Sequence, residues 1–191
     1  MQVATVTLEG ISPYSQSKYV DTEIVPKIGK ETHDDYEKRT WKSRVHVAED
    51  GVPFMPPMSL KKSLEGAAPY SGKIPGQGQA TYTKRVKSGI LVTDPIALFT
   101  DQRPITFEDW KGEWLFLDAQ GKNGDKRVKR CMPRLVPWSA KATVYVVDEV
   151  ISKDVLTKII VDAGMFVGVG RFRPEKGGFY GRFKLTDIKM T

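Results

Sequence analysis

The apolar patterns along this 191-residue chain predict an α+β fold with a βαββαβ core. Residues 2–9 and 140–148 alternate apolar and polar side chains, as strands with one buried face do. Residues 59–68 and 153–164 instead place apolar side chains at the three- and four-residue spacing of a helix. Further short strands are predicted between these two helices. This order favours an antiparallel sheet with both helices on one face.

The first strand is followed by a charge-rich insertion, residues 18–49. Apolar residues are sparse there until Trp41, so we expect a mobile excursion that returns to the core through a short strand over residues 43–48. Asp50-Gly51 is a turn signal, and residues 52–55 predict a second short strand.

The first helix is expected to begin at Ser59, because a serine oxygen at the N-cap accepts a hydrogen bond from the first turn. Leu60 and Leu64 are four residues apart and therefore share one face, which we expect to pack inwards. Lys61 and Lys62 then lie on other faces of the helix.

Two hairpins are predicted after this helix. Residues 80–96 predict one with its turn at Ser88-Gly89, which places Lys84 and Arg85 at a hairpin tip. Residues 110–117 and 127–135 predict the strands of the other.

The second hairpin is a basic arm over residues 119–137, with a glycine-rich turn. The remaining elements are a strand over residues 140–148, a helix over 153–164 capped by Ser152, and strand material over 178–188.

The bulk composition describes one globular domain, residues 1–191, that favours polyanionic partners. The chain has 30 Lys+Arg against 23 Asp+Glu, a net charge of +7 and a pI near 9.4; such a balance favours nucleic acid. A single cysteine, Cys131, excludes an intramolecular disulfide and a multi-cysteine metal site. No apolar run approaches the roughly 20 residues that span a bilayer. We therefore expect a soluble cytoplasmic protein with no membrane contact, no metal and no cofactor.

The most distinctive segment is GVGRFRPEKGGFYGRFK, residues 168–184. Glycine lets the backbone approach a ligand, consecutive N–H groups can form an anion nest, and arginine holds phosphate with a planar fork. The segment lacks the spacing of a nucleotide-binding phosphate loop, and no helix follows it as in a dinucleotide site. We predict that the nucleic-acid contacts here are Gly168, Gly170, Arg171, Arg173, Lys176 and Arg182.

The aromatic residues of this segment have two interpretations. They can stack on unpaired bases, or they can belong to the core of a glycine-rich turn that joins the second helix to the last strand. Because strand alternation turns half of the side chains inwards, we assign Phe179 and Phe183 to the core and the arginines to the surface.

Two other basic stretches are candidates for nucleic-acid contact. They contribute Lys84 and Arg85 at the first hairpin, and Arg127 and Lys129 on one face of the second; a merely solvated arm is the alternative for the latter. The chain has two histidines, His33 and His46. His46 is the candidate general base if the protein cleaves RNA without a metal, whereas a histidine with no catalytic role is the commoner case.

Three segments together resemble the RAMP superfamily, the repeat-associated proteins of CRISPR effector complexes. DGVPFMPPMSLKKSLEGA (residues 50–67) resembles its proline-serine-leucine-lysine segment, residues 168–184 resemble its glycine-rich loop, and Gly10-Ile11-Ser12-Pro13 resembles the turn after its first strand. Two positions depart from the family pattern: Pro57-Met58-Ser59 replaces Gly-Ser-Ser, and Lys62 stands where glycine is usual.

The resemblance implies a modified ferredoxin-like or RRM-like fold and points to the backbone subunits that polymerise along guide RNA. In those subunits the helix after the proline-serine segment contacts RNA, which implies such a role for Ser59, Lys61 and Lys62.

Three functions follow from these residues and this resemblance. The leading hypothesis is a non-catalytic protein that binds single-stranded nucleic acid, RNA in preference to DNA, and assembles along the strand. The second is a metal-independent endoribonuclease of the repeat-processing type. The third is a phage or prophage interaction protein that mimics or replaces a CRISPR backbone subunit among the effector subunits.

Overall fold

The computed structural model describes residues 1–21, 23–118 and 127–191. Within those ranges the chain forms nine strands and four α-helices. In chain order they are β1 (Gln2–Gly10), α1 (His33–Thr40), β2 (Phe54–Met55), α2 (Pro57–Ala67), α3 (Tyr82–Gly89), β3 (Ile90–Leu91), β4 (Ile96–Thr100), β5 (Arg103–Pro104), β6 (Trp110–Asp118), β7 (Arg127–Leu135), β8 (Ser139–Val146), α4 (Lys153–Asp162) and β9 (Phe183–Met190).

The main sheet is antiparallel throughout and has the order β2-β4-β8-β1-β9, with β3 also paired to β8 and β5 to β4. Its four principal strands are β9, β1, β8 and β4. Helix α2 lies between β1 and β4 in the chain, and α4 lies between β8 and β9. This is the predicted βαββαβ core with a ferredoxin-like strand order.

One face of the sheet and the two crossover helices form the core. Ala4, Val6 and Leu8 of β1 are fully buried, whereas the residues between them are half-buried, as strand alternation requires. The helices contribute Leu60 and Leu64 from α2, and Leu156, Ile159 and Ile160 from α4, to the same apolar cluster.

The charge-rich insertion contains a helix, contrary to our expectation of a mobile excursion. Thr32 caps α1 by accepting a hydrogen bond from the N–H of Asp35, and a 3-10 turn over Trp41–Arg44 follows the helix. Acidic residues in the first turn and basic residues in the last favour this helix electrostatically. The expected strand over residues 43–48 is only an isolated bridge between Val47 and Pro53.

Three further element predictions are wrong in part. Residues 82–89 of the first predicted hairpin form helix α3, so Lys84 and Arg85 lie on a helix. Helix α2 begins at Pro57 after Pro56, and Ser59 is inside its first turn instead of at the N-cap. The last strand begins at Phe183, five residues later than expected.

The second hairpin is confirmed by the pairing of β6 with β7, from Trp110 opposite Leu135 to Asp118 opposite Arg127. Its predicted glycine-rich turn, residues 121–124, lies outside the described residues. Ser152 caps α4 as expected, accepting a hydrogen bond from the N–H of Val155. Among the described residues, no helix is both long and apolar enough to cross a membrane.

Candidate nucleic-acid interface

A groove of about 330 Å³ lies between the first turns of α2 and the glycine-rich loop, residues 168–182. Helix α2 contributes Met58, Ser59 and Lys62, and the loop contributes Arg171 and Arg173. The remaining lining residues are Gln16, Ser17, His46, Pro56 and Gly170. Five of the predicted contact residues, distant in the sequence, therefore meet at one surface.

The groove continues into a second depression of about 350 Å³, which shares Lys62 and Arg173 with the first. Its other cations are Lys87 of α3 and Lys176 of the loop. Lys87 was not among the predicted contacts. Because residues 82–89 are helical, Lys87 faces the groove, and the neighbouring Lys84 and Arg85 are absent from its lining. We call the two depressions together the α2–loop groove.

The charge of the α2–loop groove is positive. Its five cations are Lys62, Lys87, Arg171, Arg173 and Lys176, and its two carboxylates are Glu65 and Glu175. Lys62 Nζ donates to Glu65 at 2.6 Å, and Arg173 donates to Glu175 at 2.7 Å.

Arg171 differs from Arg173, the other arginine of the groove, which pairs with Glu175. Within the described part of the chain, no carboxylate lies within ion-pair distance of the Arg171 guanidinium. The pKa of Arg171 is lowered, first because surrounding protein partly desolvates the guanidinium and then because Arg44, Arg130 and Arg173 carry like charges nearby. Its side chain is nevertheless open to solvent. An anion bound here would relieve this repulsion between like charges.

Backbone N–H groups of the glycine-rich loop already donate to carbonyls, both within the loop and in residues 13–15, so our prediction of an anion nest is wrong for these donors. The N–H of Arg171 donates to the carbonyl of Ser15 (2.8 Å), and that of Gly181 to the carbonyl of Pro13 (2.8 Å). Val169 N–H and Tyr180 N–H donate to the carbonyls of Gly181 and Phe172. The arginine side chains must therefore supply most of the attraction for anions.

Glycine is required in this loop by packing as well as by conformation. Gly170 has a φ of +75°, and a Cβ there would overlap the carbonyl oxygen of Ser15 and contact the ring of Tyr14. Gly181 has a φ of +70°, and its Cβ would overlap the carbonyl of Val169. Gly168 is buried within the loop. These glycines thus hold the arginines in place through close backbone contacts.

Lys61 is buried, so the interpretation of Lys61 as a solvent-facing contact is wrong. Its side chain is 8% exposed, and Nζ donates to the carbonyls of Val86 (2.7 Å) and Lys87 (3.0 Å) in the last turn of α3. Burial lowers the pKa of this ammonium, and Glu65, at 3.4 Å, opposes that change. Lys61 therefore joins α2 to α3 and is not placed to meet a strand in the groove.

The other predicted contacts lie apart from the groove. Arg85 pairs with Asp148 at 3.2 Å, and Lys84 is exposed on α3. Arg182 is half-buried, and its Nε donates to the carbonyl of Met165 at 3.3 Å. Arg127 is exposed on β7.

Two hairpin cations, Lys129 and Arg130, pair with carboxylates of helix α1, which packs on β7. Glu37 is fully buried and accepts from Arg44 (2.9 Å), from Arg130 (2.6 Å) and from the N–H of Cys131 (3.0 Å). Lys129 donates to Asp34 at 2.6 Å. We call this arrangement the α1–hairpin clamp.

The same clamp involves aromatic side chains and one histidine. Lys129 Nζ lies 4.4 Å from the ring centroid of Trp114, and His33 Nε2 lies 2.9 Å from the carbonyl of Lys129. A Cβ at Gly112 would contact the ring of Trp41, so glycine is needed where the insertion packs on the hairpin.

His46 lines the α2–loop groove and packs against Phe54, with ring centroids 5.9 Å apart. Partial burial lowers its pKa, and the charge of Lys18 lowers it further. The imidazole is therefore neutral at pH 7, as a general base must be.

Cys131 is buried, and burial raises the pKa of its thiol. In residues 1–21, 23–118 and 127–191, no group of three or more His, Cys, Asp and Glu side chains is placed to hold a metal ion.

Chains of similar fold occur in two solved structures of Cmr proteins. One similar chain comes from a structure of Type III-B Cmr-beta bound to cognate target RNA, with a TM-score of 0.52 and 13% identity. That match covers 99% of this chain but only 60% of the other.

A second similar structure is Cmr6 from Pyrococcus furiosus, with a TM-score of 0.51 and 12% identity over 97% of this chain and 99% of that one. At these identities the likeness concerns the fold. No protein-family model matches the chain, and no curated protein matches it in sequence.

Proposed function

We propose that this protein binds single-stranded nucleic acid, RNA in preference to DNA, along the α2–loop groove and without catalysis. The observation that carries this proposal is Arg171, a solvent-open guanidinium gathered with three other arginines and lacking a carboxylate partner in the described chain. An exposed guanidinium without a carboxylate partner can donate its planar fork to phosphate oxygens, which are therefore the fitting ligand.

The shape of the α2–loop groove supports a strand more than a compact anion. The two depressions share Lys62 and Arg173, and cations continue from Arg171 to Lys176 and Lys87. Successive phosphates of one strand can meet successive cations along such a path. The fold likeness to a Cmr-beta chain in a complex with target RNA supports RNA as the polymer.

Binding is tested by fluorescence anisotropy with a labelled single-stranded RNA and a matched single-stranded DNA at several salt concentrations. If all five groove cations neutralise phosphates, the logarithm of the association constant falls with the logarithm of salt at a slope of about −3.5. The absorbance ratio at 260 and 280 nm, before and after a high-salt wash, reports nucleic acid that co-purifies with the protein. A salt-independent signal, or no binding to either polymer, would contradict the proposal.

The variant that tests the groove is Arg171→Gln, with Arg103→Gln as its matched control. Arg103 is exposed and pairs with Asp109 away from the groove. We expect Arg171→Gln to weaken RNA binding about tenfold and to reduce the salt slope by about 0.7, because one phosphate contact is lost. Arg103→Gln should leave both unchanged. Equal losses in the two variants would show that net charge, and not the groove, sets the affinity.

An endoribonuclease remains the second candidate because His46 lies in the same groove and is neutral at pH 7. A neutral imidazole can take the proton of a 2′-hydroxyl and so start metal-independent cleavage. Incubation with a structured repeat RNA in the presence of EDTA tests this: cleavage that His46→Gln abolishes would favour the enzyme. Intact RNA under these conditions would favour the non-catalytic binding protein.

We further propose assembly with effector subunits or with other copies along the strand, as a RAMP-like fold suggests. The third hypothesis, a phage or prophage protein that takes a subunit's place, predicts binding to effector subunits by a protein purified free of nucleic acid. Gel filtration with RNA of increasing length separates these cases. Side-by-side assembly gives a complex that grows by one copy per fixed number of nucleotides.

A further inference from the structure

Phe179 is an exposed aromatic side chain of the glycine-rich loop, and our assignment of it to the core is wrong. Its side chain is 61% exposed, whereas Tyr180 and Phe183 are 2% and 1% exposed. The strand alternation that supported the assignment begins only at Phe183. Single exposed apolar residues are ordinary on protein surfaces, so the surroundings of the ring decide what it can do.

The ring of Phe179 packs against the ring of Tyr180. It makes an edge contact with Tyr180, with centroids 4.7 Å apart and planes at 89°. Tyr180 is fixed in turn by a hydrogen bond from its hydroxyl to Glu113 (2.6 Å) and by an edge contact with Phe172 (5.8 Å). A ligand that meets this ring therefore meets a preorganised surface, which lowers the ordering cost of binding.

An edge contact between two rings covers at most one face of either ring. At least one face of Phe179 is therefore not covered by Tyr180. A flat ligand can stack on that face in the offset geometry that aromatic pairs prefer.

The loop that carries Phe179 also carries three cations of the α2–loop groove, Arg171, Arg173 and Lys176. The preceding residue, Gly178, donates its N–H to the carbonyl of Arg173 at 3.1 Å, and Arg173 lines the α2–loop groove. A ligand that stacks on Phe179 and also contacts these cations must offer a flat aromatic face beside a negative charge. An unpaired nucleotide offers both, whereas a base inside a duplex has its faces covered by its neighbours.

We propose that Phe179 is a stacking platform for an unpaired nucleobase of a strand whose phosphates occupy the α2–loop groove. The inference rests on the proposed function and adds to it a side chain that recognises unpaired bases. The groove cations supply attraction for any polyanion, and Phe179 selects single-stranded nucleic acid among polyanions.

The test compares Phe179→Ala, Phe179→Leu and Phe179→Trp with the wild type on two probes: a single-stranded RNA that contains 2-aminopurine, and inorganic polyphosphate. Tyr19→Ala is the control, because Tyr19 is 84% exposed and lines a different cavity. We expect Phe179→Ala to weaken RNA binding roughly 5- to 100-fold, the range for loss of one stacked base, with an unchanged salt slope.

The remaining variants separate stacking from general apolar contact. Phe179→Leu should bind RNA nearly as poorly as Phe179→Ala, and Phe179→Trp should bind like the wild type and quench 2-aminopurine. Polyphosphate binding should be the same in all four proteins. Thermal melting verifies that each variant is folded. Because Phe179 is exposed, we expect these substitutions to preserve the fold.

Three results would overturn the inference in distinguishable ways. If Phe179→Ala binds RNA like the wild type while Arg171→Gln does not, the stacking platform is wrong and the groove stands. If Phe179→Ala loses RNA and polyphosphate alike, the ring supports the loop and does not stack on bases. If the wild type binds neither probe, the proposed function falls and the inference with it.

Discussion

The α2–loop groove and the α1–hairpin clamp are both basic in sequence, but their cations have different partners. In the clamp, Glu37 and Asp34 neutralise Arg44, Arg130 and Lys129 at distances of 2.6–2.9 Å. In the groove, Glu65 and Glu175 pair with Lys62, Arg173 and Lys176, whereas among the described residues neither Arg171 nor Lys87 has a carboxylate within ion-pair distance. The same residue types thus hold helix α1 against the hairpin in the clamp and leave unpaired positive charge in the groove.

This difference shows that a basic stretch of sequence need not form a surface of unpaired cations. A cation within a buried ion pair is already satisfied, and a phosphate would have to displace its carboxylate. A cation that lacks such a partner can bind a phosphate without displacing a carboxylate. Four predictions test whether the groove and the clamp differ in this way.

The largest effect is expected for Gly170→Ala in the groove, with Gly177→Ala as the matched control. Both glycines have a φ of +75°, but only at Gly170 would a Cβ overlap another residue. We expect Gly170→Ala to lower the free energy of unfolding by about 4 kcal/mol, from overpacking and left-handed backbone cost together. Gly177→Ala carries only the backbone cost, about 1 kcal/mol. Urea denaturation measures both, and equal losses would contradict the packing role of Gly170.

The next effect is expected for Glu37→Gln in the clamp. Removing the buried carboxylate leaves Arg44 and Arg130 close together without their shared anion, and breaking such a buried pair costs about 3 kcal/mol. Urea denaturation should show this loss, whereas the salt slope of RNA binding by the folded protein should not change. An RNA affinity that rises strongly in Glu37→Gln would show that the clamp cations compete with the groove for the strand.

Two neighbouring lysines of α2 give a smaller, opposed pair of effects. Lys61→Met leaves the carbonyls of Val86 and Lys87 without their donor, so we expect about 2 kcal/mol lower stability and an unchanged salt slope. Lys62→Met removes an exposed groove cation, so we expect weaker RNA binding and a stability change below about 1 kcal/mol. A loss of affinity in Lys61→Met as large as that in Lys62→Met would contradict this division.

The smallest effect concerns pH and His46. Its pKa in the folded protein is lowered by burial, so the unfolded chain binds more protons between that lowered value and the ordinary value of about 6.5. Stability should therefore decrease as the pH falls through this range, and His46→Gln should remove that part of the decrease. Thermal melting between pH 5 and pH 8 measures it. RNA affinity should rise only as the pH falls further, through the lowered pKa of His46, because the folded imidazole then becomes protonated and adds a cation to the groove.

The elements with regular apolar periodicity were predictable from sequence, and those without it were not. Strand β1, strand β8 and helix α4 present apolar faces to the main core, so the spacing of their side chains indicates their structure. Helix α1 buries Glu37 instead of an apolar stripe, because its partners are arginines. A helix that packs through a buried carboxylate resembles a polar loop in sequence.

The candidate site was predictable in part, because sequence shows the type of each residue but not its packing. Residue type correctly indicated Arg171, Arg173 and Lys62 as surface cations near glycine-rich backbone, and the structure brings them together. It could not distinguish Lys61 from Lys62, because one helical step decides whether an ammonium reaches a neighbouring helix or solvent. It also placed Phe179 in the core, because alternation was extended into a loop.

The sequence alone determined the βαββαβ core, the resemblance to RAMP proteins and the overall positive charge, since these depend on periodicity, short motifs and composition. Only the tertiary structure decided which cations keep a partner. Ion pairing depends on distances of a few ångströms between residues far apart in the chain, such as Glu37 and Arg130. The same dependence leaves Arg171 without an ion pair in the groove, and the loop conformation leaves Phe179 exposed.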